Sequence, residues 1–398
     1  MEWFPLTIVA LTVGLFLYAY FGYPALLWLM ARRNRNTTAA AGMDEWPAVS
    51  ISLPVYNEVA QIRDVIQSLL SIDYPRDRLQ IVIISDASTD GTDDVVREYA
   101  SSGIELLRIP TRGGKTNAEN AAAFILRGEI VVNTDASIRI LPDALKPLIA
   151  QFRDPQVGVA SGRDISVAAG QGANPNAAES GYVGYEMTIR SMETRCGGIV
   201  GASGCFYAIR THLHRVPLPA HLSRDFASAL IAREHGYRAV SVDDALCLVP
   251  RTSSLRSEYR RKVRTITRGM ETLFHKRHLL NPFRYGRFAW MLFSHKVCRW
   301  AVPCGGVLSV TAIAGLAIFE TWARAALAAF VLMSTLAFLG YRWPFAWPMP
   351  RLVGMVASLA GANLATAHSV VKALQRDDNA AWEPTRRENL VGTSQSHA

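Results

Sequence analysis

At 398 residues, half of them hydrophobic, the chain is too long and too apolar for a disordered segment or a small disulfide scaffold. Its five cysteines are odd in number and form no CxxC pair, which argues against a zinc site and for reduced, cytosol-facing thiols. The net charge of +9 could suit nucleic acid, but the basic residues crowd between Arg251 and Arg299 beside apolar segments. That distribution fits lipid headgroups or diphosphates and excludes nucleic acid as the expected partner.

In chain order, the first element is a membrane helix. Leu6 to Met30 carries no charged side chain, and at about 1.5 Å per residue it can cross a hydrocarbon core of about 30 Å. Arg32, Arg33 and Arg35 follow it and only Glu2 precedes it, so the positive-inside rule puts the N-terminus outside and the rest in the cytosol. A cleaved signal peptide is the alternative, with Ala39–Ala41 as a cleavage-like run, but its charges would lie on the wrong side of the apolar core.

Residues 48 to about 250 alternate strand-like and helix-like segments. Val49–Leu53 reads as a strand ending at Pro54, and Glu58–Leu70 as a helix with an apolar stripe. Leu79–Ser85 is a buried-type strand, followed by a helix over Thr92–Ala100. Ile104–Ile109, Asn117–Leu126 and Glu129–Asn133 repeat the pattern. Such alternation implies right-handed crossovers and a mainly parallel α/β sheet with helices on both faces, which binds ligands at the carboxyl ends of its strands. Ala168–Ala178, rich in Ala, Gly, Asn and Pro, is expected to be a loop over the site.

The polar motifs fall at those strand ends. Glu58 follows Pro54-Val-Tyr56-Asn, and Asp86 follows four aliphatic residues. Carboxylates there can accept from a base N–H or a ribose hydroxyl, and Tyr56 offers a flat face for a uracil-like ring; alternatively, Asp86 and Asp90 cap the next helix. Lys115, after two glycines, can reach a phosphate or base, although the GxxxxGK[ST] spacing of a P-loop is missing. Asp135 ends another apolar strand, where it is either a turn residue or the ligand of a Mg²⁺ or Mn²⁺ that neutralises a diphosphate. Asp225 opens a helical pattern after Ser223 and is equally a first-turn acid or a general base. Arg261, Arg264 and Arg268 share one helical face that could grip a diphosphate or rest on anionic headgroups. His275 to His278 reads as a membrane-surface segment. No GxGxxG follows the first strand, so a dehydrogenase is excluded.

Together PVYNE at Pro54–Glu58, DASTDGT at Asp86–Thr92, TDAS around Asp135 and SRDFASAL around Asp225 resemble the family 2 inverting glycosyltransferases with a GT-A catalytic domain. The resemblance runs from about residue 48 to 300 and points to the membrane-embedded group containing cellulose, hyaluronan and poly-N-acetylglucosamine synthases. It implies Asp135 as first acid of the DxD metal motif, Asp225 as catalytic base, and Ser203, Gly204 and Cys205 as the acceptor loop. Three departures stand out: Ser137 replaces the second DxD acid, Arg224 replaces the acid before the base, and the QxxRW motif lacks its Gln and Trp around Arg261–Thr265. The last sets the chain apart from the processive synthases. The resemblance thus implies sugar transfer from a nucleotide-diphosphate sugar, by expectation a UDP-sugar, to a polysaccharide or lipid-linked glycan acceptor; the alternative is a nucleotide-binding membrane regulator that has lost catalysis.

The last third holds apolar runs at Val297–Phe319, Trp322–Tyr341 and Leu352–Val371. Three full crossings would put the basic tail (Lys372, Arg376, Arg386, Arg387) outside, against the charge rule, so an even number is expected, with an interfacial hinge at Tyr341–Pro350. The expected organisation is a membrane helix over 1–31, a cytosolic GT-A domain over 46–255, interfacial basic helices over 256–296, transmembrane or re-entrant helices over 297–373 and a cytosolic tail over 374–398, in the plasma membrane or bacterial inner membrane.

Overall fold

A computed structural model describes residues 3–33, 45–167, 177–250, 255–344 and 349–375. Ala39–Ala41, most of the Ala168–Ala178 run and the tail arginines lie outside the described residues. The chain opens with α1 (Trp3–Leu17), a π-helical turn at Tyr18–Gly22 and α2 (Tyr23–Arg33). Strands β1 (Val49–Val55), β2 (Leu79–Asp86), β3 (Ile104–Ile109) and β4 (Ile130–Thr134) then alternate with α3 (Ile62–Leu70), α4 (Thr92–Arg97) and α5 (Lys115–Ala122). These four strands pair in parallel in the order β3-β2-β1-β4.

The expected first strand stops at Pro54, but β1 runs on to Val55. Pairing with β4 ends at Ser52, so at Pro54 only β2 is alongside and the missing N–H leaves no ladder bond broken on the β4 side. The helices start later or stop earlier than their apolar stripes. Glu58 sits in the turn before α3, and α4 ends at Arg97, not Ala100.

Four further strands complete the sheet: β5 (Arg139–Ile140), β6 (Val157–Val167), β7 (Phe206–Arg210) and β8 (Arg238–Pro250). β7 lies antiparallel between β4 and β6, β8 runs parallel to β6, and β5 caps the edge, giving β3-β2-β1-β4-β7-β6-β8-β5. The sheet is therefore mixed, with a parallel half carrying the nucleotide-type motifs. Ile51, Leu53, Ile83 and Val132 pack one face against α3 and α6 (Leu145–Ala150); Val82, Ile84, Val131 and Ile209 pack the other against α5, α8 (Thr211–His214) and α9 (Arg224–Glu234).

A third core joins the sheet domain to the apolar helices. In it Tyr23 and Leu27 meet Ile189 of α7 (Ala177–Cys196), Phe226 and Leu230 of α9, and Leu273 of α10 (Leu255–His275). After α11 (Pro282–Tyr285), α12 (Arg287–Leu292) runs through a second π turn at Phe293–Cys298 into α13 (Arg299–Leu316). α14 (Thr321–Tyr341) and α15 (Arg351–Gln375) follow.

Among the described residues three helices are long and apolar enough to cross a membrane: Trp3–Arg32, Arg287–Leu316 and Thr321–Tyr341. Their outward side chains, Leu11, Leu308, Val331 and Phe338 among them, are exposed, as a lipid-facing surface requires. Of the three C-terminal apolar runs, two therefore lie on such helices. The third forms α15, which packs along α10 and α14.

Candidate active site

The loops after β1 and β2 are tied together by their own side chains. Asn57 and Ala87 take positive φ (53° and 60°), an uncommon conformation that turns each strand end sharply. Asn57 Oδ1 accepts from Thr89 N at 2.8 Å, and Glu58 N donates to Thr92 Oγ1 at 2.9 Å. Asp90 accepts from Val59 N and Thr92 N, each at 3.0 Å. Burial raises the Asp90 carboxyl, but the donating Thr92 hydroxyl together with these amides outweighs it and holds it below its ordinary range. Asp90 is thus tied to the first turn of α4, whose N-cap position is Gly91.

Asp86 is not. Buried at 2 % exposure, it accepts from Gly113 N at 2.9 Å and Gly114 N at 2.8 Å. Gly114 has φ +86°, a left-handed value natural to glycine, at the turn into α5. The Asp86 carboxylate therefore shapes the turn that launches Lys115.

Lys115 Nζ pairs with Asp135 Oδ1 and donates to the Gly204 carbonyl at 3.2 Å. Burial pulls its pKa down, but Asp135, Glu119 and Asp225 more than offset this and raise it. Asp225, in the first turn of α9, accepts from Ser223 Oγ. Gly204 lies so close that an added Cβ would be 2.6 Å from Asp225 Oδ2. One cavity of about 430 Å³ is lined by Glu58, Lys115, Asp135, Asp225, Arg264 and Arg268, together with the loop Ser203, Gly204 and Cys205. Pro54, Tyr56 and Asp86 do not line it. Tyr56 carries the Arg112 guanidinium 3.8 Å from its ring centre.

The basic face of α10 turns towards this cavity, since Arg261, Arg264 and Arg268 all border it. Burial lowers the pKa of Arg268, opposed by the Asp225 and Glu271 carboxylates. Arg264 and Arg268 also border a second cavity of about 320 Å³ reaching His368 and Lys372 of α15. The His275–His278 segment is tied to the sheet domain as well: Lys276 and His278 both reach Glu234 of α9 at 2.8 Å.

Sequence reading missed Glu119, Asp164, Arg190 and Lys296, all of which border the cavity. Glu119 stands four residues after Lys115 on α5, so helical spacing could have placed the two on one face. It is fully buried, 3.5 Å from Arg224 Nε. Burial pushes its pKa up to about 7 against the opposing pull of Lys115 and Arg224. Arg224, in place of the usual acid before the base, thus points into the core, where it also donates to the His214 carbonyl at 3.0 Å. Asp164 accepts from Ser203 Oγ at 2.7 and 2.8 Å, fixing the Ser203–Cys205 loop across the sheet. Nothing local in the sequence announces that pairing.

No group of three or more His, Cys, Asp or Glu among the described residues is arranged to hold a metal ion. Asp135 borders the cavity as a single carboxylate, with Ser137 beside it and Lys115 on one oxygen. That donor set fits Mg²⁺ or Mn²⁺ only if diphosphate and water supply the remaining oxygen ligands, as such ions commonly allow.

Comparison with known proteins agrees with this architecture. Residues 50–215 match the family model described as glycosyl transferase family 2. Among curated proteins, the probable glycosyltransferase YdaM of Bacillus subtilis is 32% identical over 99 residues, 24% of each chain. The beta-monoglucosyldiacylglycerol synthase of Synechocystis is 31% identical over 125 residues, 30% of this chain and 26% of that protein. The matched segment thus spans about a quarter of those relatives' length. The solved mannosyltransferase PcManGT from Pyrobaculum calidifontis, in complex with GDP-Man and Mn2+, is similar over 92% of this chain and 99% of its own, at 25% identity and a TM-score of 0.67. With the motifs of β1, β2 and β4 gathered at one end of a GT-A-type sheet, residues 50–215 form a glycosyl transferase family 2 domain.

Proposed function

We propose that the chain transfers a sugar from a nucleoside diphosphate sugar to an acceptor hydroxyl at a membrane surface, with inversion at the anomeric carbon. One observation carries this reading: Lys115, Asp135, Asp225, Arg264 and Arg268, distant in sequence, border a single cavity. In this reading Glu58 and the turn held by Asp86 seat the nucleotide, and Lys115, Arg264 and Arg268 hold the diphosphate by charge-assisted hydrogen bonds. A divalent cation at Asp135, when bound, would neutralise diphosphate charge; the Mn2+ and GDP-Man held by PcManGT support both a cation and a nucleoside diphosphate donor here. Asp225 takes the proton from the acceptor hydroxyl as that oxygen attacks the anomeric carbon and the bond to the departing nucleoside diphosphate breaks. Ser223 Oγ, donating to Oδ1, orients the carboxylate so that Oδ2 lies against Gly204, a residue of the acceptor loop.

The three apolar helices support a membrane protein. In this reading the sheet domain is cytosolic, which the cations Arg32 and Arg33 at the end of the first span support through the positive-inside rule. The acceptor is a polysaccharide or lipid-linked glycan in this reading. A panel of UDP- and GDP-sugars with the reconstituted protein, scored for nucleotide release and product, tests donor and reaction together. Replacing Asp225 by Asn removes the base and should lower turnover by about 10²–10⁴-fold with donor still bound. Wild-type turnover in that variant would overturn the assignment.

A further inference from the structure

The cavity has a second wall, away from the nucleotide motifs, that the proposed reaction does not use. It is made by α7 and by the π turn that joins α12 to α13. Glu186, Arg190 and Lys296 border it, with Trp300 one turn beyond Lys296. A π turn inside a helix costs regular hydrogen bonding and recurs at functional positions. Here it falls on the helix that passes from the site into the apolar layer.

The carboxylates behind this wall are already engaged. Glu193, fully buried, accepts from Tyr23 Oη at 2.5 Å and lies 2.6 Å from His295 Nδ1. Glu186 meets His295 Nε2 at 2.9 Å through one oxygen and Arg299 Nη1 at 2.9 Å through the other. What remains for Arg190 is a 3.7 Å approach to Glu186, and its Nε and Nη1 are buried without a hydrogen-bond partner. Lys296 Nζ makes no hydrogen bond or ion pair among the described residues; its neighbour is the Phe226 ring, 5.5 Å away and adjacent in sequence to Asp225. Three cations, Arg190, Lys296 and Arg299, therefore face two carboxylates. Cations withdrawn from bulk water without acceptors are costly, so a wall that keeps two such half-buried cations facing a cavity is organised for an anion that arrives with a ligand.

Resting on the glycosyl-transfer reading, we propose that Lys296 and Arg190 form an anion subsite at the acceptor end of the cavity, taking a phosphate or phosphodiester group carried by the acceptor. The donor's own diphosphate is matched by a separate set, Lys115 and the α10 arginines. Lys296 lies beside the ring of Phe226, the residue after the proposed base, and Lys296 and Asp225 border the same cavity, so an anion held there shares that cavity with the hydroxyl to be glycosylated. It also sits on a helix that enters the apolar layer, so the rest of such an acceptor could remain in lipid.

The test uses the full chain in nanodiscs of phosphatidylcholine with saturating nucleoside diphosphate, so that the donor's diphosphate site is filled. Binding of farnesyl phosphate is compared with that of farnesol. At least a tenfold preference for the phosphate is expected, erased by Lys296→Gln or Arg190→Gln and retained by Lys296→Arg. Equal binding of phosphate and alcohol by the wild type overturns the proposal and needs no variant. So does a preference that survives the double replacement.

Two competition arms identify the source of the anion. Inorganic phosphate that displaces the probe at equal concentration supports the same site serving a soluble phosphate ester. Displacement by phosphatidylglycerol, added to the nanodisc, would show that bulk headgroups occupy the wall and overturn an acceptor role. Nucleotide release from the sugar-nucleotide panel is followed in parallel. No release from any donor sinks the glycosyltransferase reading, whereas release combined with equal binding of phosphate and alcohol sinks only the subsite.

Discussion

Gly204→Ala is a one-carbon probe of how tightly the proposed base is placed. The new Cβ would stand 2.6 Å from Asp225 Oδ2 and 3.4 Å from its Cγ. An ordinary carbon–oxygen contact is roughly 3.3 Å, so one partner must move by about 0.7 Å. Gly204 does not have a positive φ, and alanine therefore adds a clash without backbone strain. Lys115 holds the Gly204 backbone through its carbonyl, whereas the Ser223 hydroxyl holds only Oδ1 of a side chain that can turn about its own bonds, so the carboxylate yields before the backbone does. A misplacement near 1 Å at a reacting group costs on the order of 10²-fold, or about 2.7 kcal/mol of barrier. The expected result is a 30- to 100-fold fall in kcat, by an order-of-magnitude reading of that relation, with donor affinity little changed. Steady-state nucleotide release and calorimetric donor binding measure the two quantities. Turnover within about threefold of wild type would refute the reasoning, because Asp225 would then tolerate displacement that no general base tolerates.

Asp86→Ala should act on the turn before Lys115. It orphans the Gly113 and Gly114 amides, each costing about 1–3 kcal/mol if left buried, and lets Lys115 drift. A lower Tm together with weaker nucleotide binding is expected, and unchanged binding would separate the turn from the donor site. Glu119 gives a pH signature. Its folded pKa, pushed up to about 7, exceeds the ordinary carboxylate value, so the folded state binds the extra proton. Its contribution is full below about pH 4.3 and is lost as pH rises through 7. Glu119→Gln should therefore flatten the fall in Tm between pH 5 and pH 8, and a slope identical to wild type would remove Glu119 as its source.

Much of the proposed donor half was legible because its signals are local. Aliphatic runs ending in Asp86 or Asp135 mark the carboxyl ends of parallel strands, where the topology must open a crevice. The spacing of Arg261, Arg264 and Arg268 likewise fixed one shared face on α10, which lines the cavity as a unit. What the same residues do there was less legible. Asp86 and Asp90 look alike in sequence, yet one braces the GGK turn and the other ties the loop after β1 to the first turn of α4.

The proposed acceptor half depends on contacts between residues far apart in the chain. Asp164 reaches Ser203 from another strand, Glu119 finds Arg224 across 105 positions, and Glu186 meets His295 from a different helix. No window of sequence contains both partners of any such pair. By itself the sequence determined the apolar spans, the alternation that makes the sheet and the strand-end acids, since periodicity and turn chemistry act over a few residues. Only the tertiary structure decided which carboxylates are spent on buried partners and which cations are left facing the cavity, because the desolvation and pairing of charges depend on neighbours that only the folded chain brings together.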